Sequence, residues 1–365
     1  MFSIAIFSEP FLYLCFSILI GSFLMQLIPS SHRPDFSVQK GVLMSAIAGI
    51  VIFSFFPVLQ TILYLYEDIG FLSTLQSVLL GFTIGKAWIV TYLVSNVLFI
   101  YIIWFDYRKR HLNSLVGLIL TFILILLLGW SSHAASIDDW KGFLIHSAHF
   151  TAISVWVGIL IVVSWFSTNY SNWLKFLKWF TPLAAACFMV TIVTGLLLMN
   201  VVIDYSDYTN SWILPYGQSL LIKHLLIIPL ISYAFINSVL IRRSILKDPT
   251  FNPIPWTKAE NLVIFLIFSA TAVLGQQEPP HEIEITIASS GISSLFDLFY
   301  SGNITKESII LLGFNLNAVI LCILGVLFLI LSVMTYIKRA PAFIGFMMNI
   351  LSVISYYLAL MISIQ

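Results

Sequence analysis

The sequence predicts an all-α protein: a polytopic transmembrane helical bundle of about ten spans with both termini outside. Three observations carry this. Hydrophobic residues make up 60% of the 365 residues and charged residues 9%, against about 25% charged in an ordinary soluble domain. Mean hydropathy is +1.01, and apolar runs recur at the ~20-residue length a helix needs to cross the hydrocarbon core. Alternating-polarity strands are absent, which favours a helical bundle over a barrel, the other solution that satisfies backbone groups in lipid. A soluble enzyme, a disordered chain and a nucleic-acid binder are excluded, and a net charge of +1 adds no signal for a polyanion partner.

The spans follow from the polar breaks between apolar runs. Span 1 covers 9–29, from Glu9 to the break at Ser30–Arg33, and Met1 to Glu9 holds no Lys or Arg, so a cleaved secretory signal is not expected. Span 2 covers 41–66, ending at Glu67-Asp68, and span 3 covers 78–105, ending at the basic run Arg108-Lys109-Arg110. Span 4 (113–132) ends at His133, and a short acidic loop with Asp138 and Asp139 leads to span 5 (142–166). Spans 6 (177–203) and 7 (217–241) flank a loop carrying Asp204 and Asp207. Span 8 (259–276) begins after Lys258; spans 9 (308–337) and 10 (341–363) are separated by Lys338-Arg339. The external segment 277–307 contains an apolar stretch, Ile292 to Tyr300, expected to lie along the membrane surface.

Orientation follows from charge, because Lys and Arg accumulate in cytoplasmic loops. Loops 1, 3, 5, 7 and 9 hold 13 of the 17 basic residues, whereas Lys141 and Lys306 are the two on the opposite side, with Lys86 and Lys223 near span starts. Of the 16 acidic residues, 12 fall on the basic-poor side. A weak echo links Thr83-Ile84-Gly85-Lys86-Ala87-Trp88 to Pro215-Tyr216-Gly217-Gln218-Ser219-Leu220, each opening a span.

The histidines are sorted by this topology. His32 and His111 fall on the cytoplasmic side, while His133, His146, His149, His224 and His281 are external or in the outer half of spans. His146 and His149 are one turn apart and share a helix face. His133 ends span 4, and His224 lies about two turns into span 7. A lone histidine such as His224 or His281 reads first as an interfacial residue. For His133, His146 and His149 together a site is the better reading, since intramembrane ionisable residues are costly and mark pathways. Neutral imidazole suits copper, zinc, iron and nickel alike.

Nine methionines form no MxxM or MxxxM cluster, which argues against a methionine-ladder channel, and Cys15, Cys187 and Cys322 form neither a CxxC pair nor a disulfide framework. Trp156 falls two turns below His149, placed either to wall a metal site or to fill core. Lys223 and Glu260 are candidate functional charges, with snorkelling to the interface the simpler account of Glu260. No Walker A sequence and no Asp-Lys-Thr-Gly-Thr motif occurs, so ATP hydrolysis is not expected, nor is enzymatic activity.

The segment Trp130-Ser131-Ser132-His133-Ala134-Ala135, followed by His149-x6-Trp156-x-Gly158, resembles the copper resistance protein D (CopD) family, in which a Gly-His-Ala-Ala span end precedes a His-x6-Trp-x-Gly helix. Thr194-Gly195, Tyr216-Gly217 with Lys223, and Glu260 ahead of Pro279-Pro280 follow in the family's order, and Thr83–Trp88 is similar to its Thr-x-Phe-Gly-x-x-Trp element. The resemblance covers roughly 80–280 and implies a CopD-like core over 77–282, preceded by spans 1–2 (1–76) and followed by the external segment and spans 9–10 (283–365). Ser132 stands where the family has Gly, and Ile159 replaces a second Gly after Trp156.

The resemblance implies a multi-pass protein of the cell membrane that moves copper ions, often with an external copper-binding partner of the CopC type. By motif the ligand candidates are His133 and His149, with His146 and His224 added from their placement. Uptake is favoured over export, because the candidate ligands and the acidic loops lie outside. Two other classes are a b-type haem membrane cytochrome, disfavoured because paired histidines at two depths are missing, and an assembly factor holding copper for a respiratory oxidase. The charge count predicts that, in a background without the three native cysteines, a cysteine at position 206 reacts with an impermeant thiol reagent from outside. One at position 109 should react only after permeabilisation; the opposite accessibility overturns the orientation.

Overall fold

The structure, a computed structural model, describes residues 2–280, 283–300 and 309–364. His281 and Lys306 lie outside the described residues. Ten helices are long and apolar enough to cross a membrane, and no strand beyond isolated bridges occurs among the described residues. The chain forms two compact units, Met1–Val201 and Val202–Gln365.

In the first unit α1 (Phe2–Leu27) is central, packed against α2 (Lys40–Ile69), α5 (His111–Trp130) and α7 (Asp139–Trp165). Helix α4 (Thr83–Trp104) closes the ring between α2 and α5. Two short helices complete it: α3 (Phe71–Gly81), against α2 and α4, and α6 (His133–Ile137), which leads into α7. Helix α8 (Trp173–Val202) carries Thr194, which bonds to His149 on α7. The α1–α7 crossing depends on two glycines. A Cβ on Gly21 would collide with the backbone of Gly158, and one on Gly158 with the Ser17 carbonyl. With no side chain between them the two backbones touch, which explains why α7 is the most buried of the ten spans.

The first unit's loops alternate as the basic residues predict. Tyr107 donates to the Val38 carbonyl at 2.8 Å and Gln26 to the Arg108 carbonyl at 2.9 Å, tying loops 1 and 3. The Ser37 amide donates to the Phe166 carbonyl at 2.9 Å, and Asn169 to Asp35 at 2.8 Å, tying loops 1 and 5.

The second unit contains α9 (Pro215–Leu225), α10 (Ile227–Phe235), a π-helical segment (Ile236–Leu240) and α11 (Ile241–Lys247), which together make one span. Around it pack α12 (Ile254–Gly275), α13 (Ile283–Ser290), α14 (Ser294–Asp297) and the hairpin of α15 (Leu316–Ile337) and α16 (Ala342–Ile362). Loops 7 and 9 meet through Arg339 and Asp248 at 3.4 Å. At the other end the Ser293 amide donates to the Ile213 carbonyl at 2.8 Å.

Two sequence expectations change. Span 3 is preceded by a separate helix, because Gly70 at φ 81° turns the chain and lets α3 fold back onto α2. The stretch Ile292 to Tyr300 keeps Leu295 and Leu298 exposed and turns its other face onto the protein. Phe296 is buried with Trp212, Ile213, Leu221 and Leu225, so burying this ring outweighs leaving the stretch as an amphipathic strip. The echo has a shared local role, since Gly85 and Gly217, each third in its helix, leave room for a preceding carbonyl (Val78 or Ser211) that a Cβ would meet.

The α1–α7 contact predicts that Gly21→Val and Gly158→Val each destabilise the detergent-solubilised protein by more than about 1–3 kcal/mol, the usual cost of overpacking. Gly41→Val, which meets nothing within 4 Å, should leave the melting temperature unchanged. Thermal unfolding followed by circular dichroism checks this, and equal melting temperatures for all three would remove the glycine crossing as the organising contact.

Candidate metal-handling site

Helix α7 carries His146, His149 and Trp156 along a length held against α1 and α5. The two imidazoles of one face reach different neighbours. His149 Nδ1 lies 2.9 Å from Thr194 Oγ1 on α8, and a Cβ on Gly195 would sit 3.4 Å from His149 Cε1, so the Thr194-Gly195 pair forms a seat for the ring. His146 stacks parallel to Phe150 at 6.4 Å between ring centroids, and Phe150 meets Tyr13 and Phe16 of α1 edge-on.

The Thr194 contact determines the histidine's tautomer. A threonine hydroxyl has one proton, and Thr194 places its own 2.6 Å from the Val190 carbonyl. Its oxygen therefore accepts from His149 Nδ1–H, and Nε2 becomes the lone-pair nitrogen. That is the form in which imidazole ligates a metal, with the other nitrogen anchored by an outer partner.

His133 is the first residue of α6 and is exposed. With Asp139, Trp130, Trp140, Phe82 and Thr83 it lines an open cavity of about 1010 Å³ at the end of the first unit. Ser132, the departure from the family's Gly, is the N-cap of this helix and accepts from the Ala135 amide at 3.2 Å, a preferred capping residue at that position. Ile159, the second departure, is fully buried. Trp156 is core: it is buried with its edge toward Phe188 of α8, 5.8 Å between centroids.

His224 belongs to the second unit, in the last turn of α9, with Nδ1 2.7 Å from the Tyr208 hydroxyl. Tyr208 lies outside the span, and burial pushes its hydroxyl up to about 12. The phenol therefore keeps its proton at neutral pH and is placed to donate it to Nδ1. Lys223, beside it, is partly buried. Glu260 does not snorkel: it is 4% exposed, and its Oε2 accepts from Asn237 Nδ2 at 2.6 Å. His111 opens α5 and is exposed.

Among the described residues no three His, Cys, Asp or Glu side chains gather closely enough to enclose a metal ion. In the first unit His133 lines an open cavity and His149 is seated within the helices. Sequence reasoning placed Thr194 in a motif but missed its bond to His149, which spans 45 residues; it missed Asn237 altogether, since nothing local marks either contact.

The fold and these histidines define a polytopic helical membrane protein with imidazole groups on its spans. Two family models match it: "Copper resistance protein D-like, N-terminal domain" over residues 2–143 and "Copper resistance protein D" over residues 174–274. Together they take in about two thirds of the chain, and the chain belongs to the copper resistance protein D family. The N-terminal match extends the likeness to spans 1 and 2. No curated protein and no solved structure matches the chain.

The tautomer argument predicts that His149→Ala lowers copper binding by the purified protein at least about tenfold, and that Thr194→Val, which removes the anchoring oxygen, lowers it about tenfold or more. His133→Ala should reduce it strongly and His146→Ala less, with His111→Ala neutral. Equilibrium dialysis with metal analysis reads all five, and wild-type affinity in a His133/His149 double variant would reduce these histidines to packing residues.

Proposed function

We propose that the protein carries copper ions across the cell membrane, inward, through imidazole stations on α6 and α7, and that it is not an enzyme. The observation that carries this reading is the 2.9 Å contact between His149 Nδ1 and Thr194, which would leave Nε2 to ligate, in a chain of the copper resistance protein D family. His133 in the open cavity is the capture station and His149 the next. His146 and His224 are accessory positions, the latter once Tyr208 releases it.

Separate stations suit a transported ion better than a closed cage does. A pathway must bind well enough for entry and weakly enough for release. Copper is then cargo, and a CopC-type protein is the proposed external donor. The inward direction rests on the proposed orientation, which sets His133, Asp138 and Asp139 on the external face, where acidic loops concentrate cations.

Cells lacking the protein should accumulate less copper and grow worse under copper limitation, with both defects restored by the wild-type gene and not by the His133/His149 double variant. Total cell copper by atomic spectrometry measures this. Raised copper and heightened copper sensitivity would reverse the direction and make the protein an efflux route.

A further inference from the structure

The second unit holds a polar layer that the imidazole stations do not use. Glu260 sits about 9 Å along α12 from its start at Ile254, at 1.5 Å per residue. On the facing helices Asn237 of the π-helical segment bonds to it and Tyr233 of α10 lies within its reach, while Asn349 of α16 interacts with Tyr233 and donates to Ser332 of α15 at 2.7 Å. Glu260, Asn237 and Asn349 are each more than nine-tenths buried. Among the described residues no basic side chain pairs with Glu260, which accepts its hydrogen bond from Asn237.

The geometry of that pair is half of a known chemical arrangement. A carboxylic acid and a primary amide close a two-bond ring, in which the amide N–H donates to the acid carbonyl and the acid O–H donates to the amide oxygen. Asn237 makes the first bond at 2.6 Å, and its Oδ1 is buried without a donor. A charged carboxylate has no proton to offer that oxygen; a protonated one does. Leaving a buried acceptor unmade is costly, and so is an unpaired charge in a membrane span. Protonation removes both costs with one proton. The π-helical segment adds a second pointer, since such insertions cluster at functional sites and here one carries Asn237 to the carboxyl. Tyr233 is the titratable group that the packed elements bring within electrostatic reach of Glu260.

We propose that Glu260 is a proton-exchanging carboxyl, paired with Asn237, that takes up and returns a proton at the end of the second unit bearing Arg242, Arg243 and Lys338. On the transport reading above, it is the group through which a proton gradient drives copper; the site itself does not depend on that reading.

Dicyclohexylcarbodiimide, an apolar reagent that adds the O–H of a protonated carboxyl across its C=N bond, tests the site in membranes containing the full chain. Peptide mass mapping should find Glu260 labelled, at a rate that falls as pH rises, and Glu260→Gln should abolish the label. Asn237→Leu removes the ring partner and should shift the pH at which labelling falls, which a merely structural carboxyl would not show. Absence of label at Glu260, a pH-independent rate, or protection by sodium but not choline would overturn the proposal, the last by making the site one for sodium. Loss of copper transport in the imidazole variants with labelling intact would leave this site standing, whereas intact copper binding with no label at Glu260 would remove it alone.

Discussion

Lipid offers no hydrogen bonds, and most of what is particular about this structure follows from that constraint. Backbone groups are satisfied within helices, and polar side chains must find partners on their own or a neighbouring helix. Thr121 and Ser164 turn back to carbonyls four residues earlier, at 2.7 and 2.6 Å. Thr194 does the same, and with its proton turned to Val190 its oxygen is placed to accept from His149 Nδ1. A rule about solvent thus sets the chemistry of an imidazole nitrogen.

The same constraint shapes the two units differently. In the first, α1 and α7 meet through Gly21 and Gly158, and close backbone contact holds the histidine-bearing helix. Dispersion and geometry serve there because packing in lipid gains little from hydrophobic burial. In the second, Asn237, Glu260, Ser332 and Asn349 bring polarity into the interior. Imidazole suits a transition-metal ion, whereas a carboxyl beside an amide suits a proton.

The departures from the family pattern are instructive for the same reason. Serine at 132 keeps a helix start where the family has glycine, by capping α6 with its side chain. Isoleucine at 159 is tolerated because that position is buried beside, and not at, the glycine crossing.

The ten spans were legible in the sequence, because the length of an apolar run is a one-dimensional consequence of a bilayer. The motif and spacing also singled out His133 and His149 as ligand candidates. The fold-back of α3 was not legible, since Phe71–Gly81 is apolar like the helices on either side of it and it is the positive φ of Gly70 that turns it back onto α2. The inward turn of Phe296 was hidden because an amphipathic strip reads alike on a lipid surface and on a protein one. Which ring nitrogen His149 presents and which amide holds Glu260 were decided by tertiary structure alone. Thr194 is 45 residues from the first and Asn237 is 23 from the second, and the rotation of one helix against another, which selects such partners, leaves no mark in the local sequence of either.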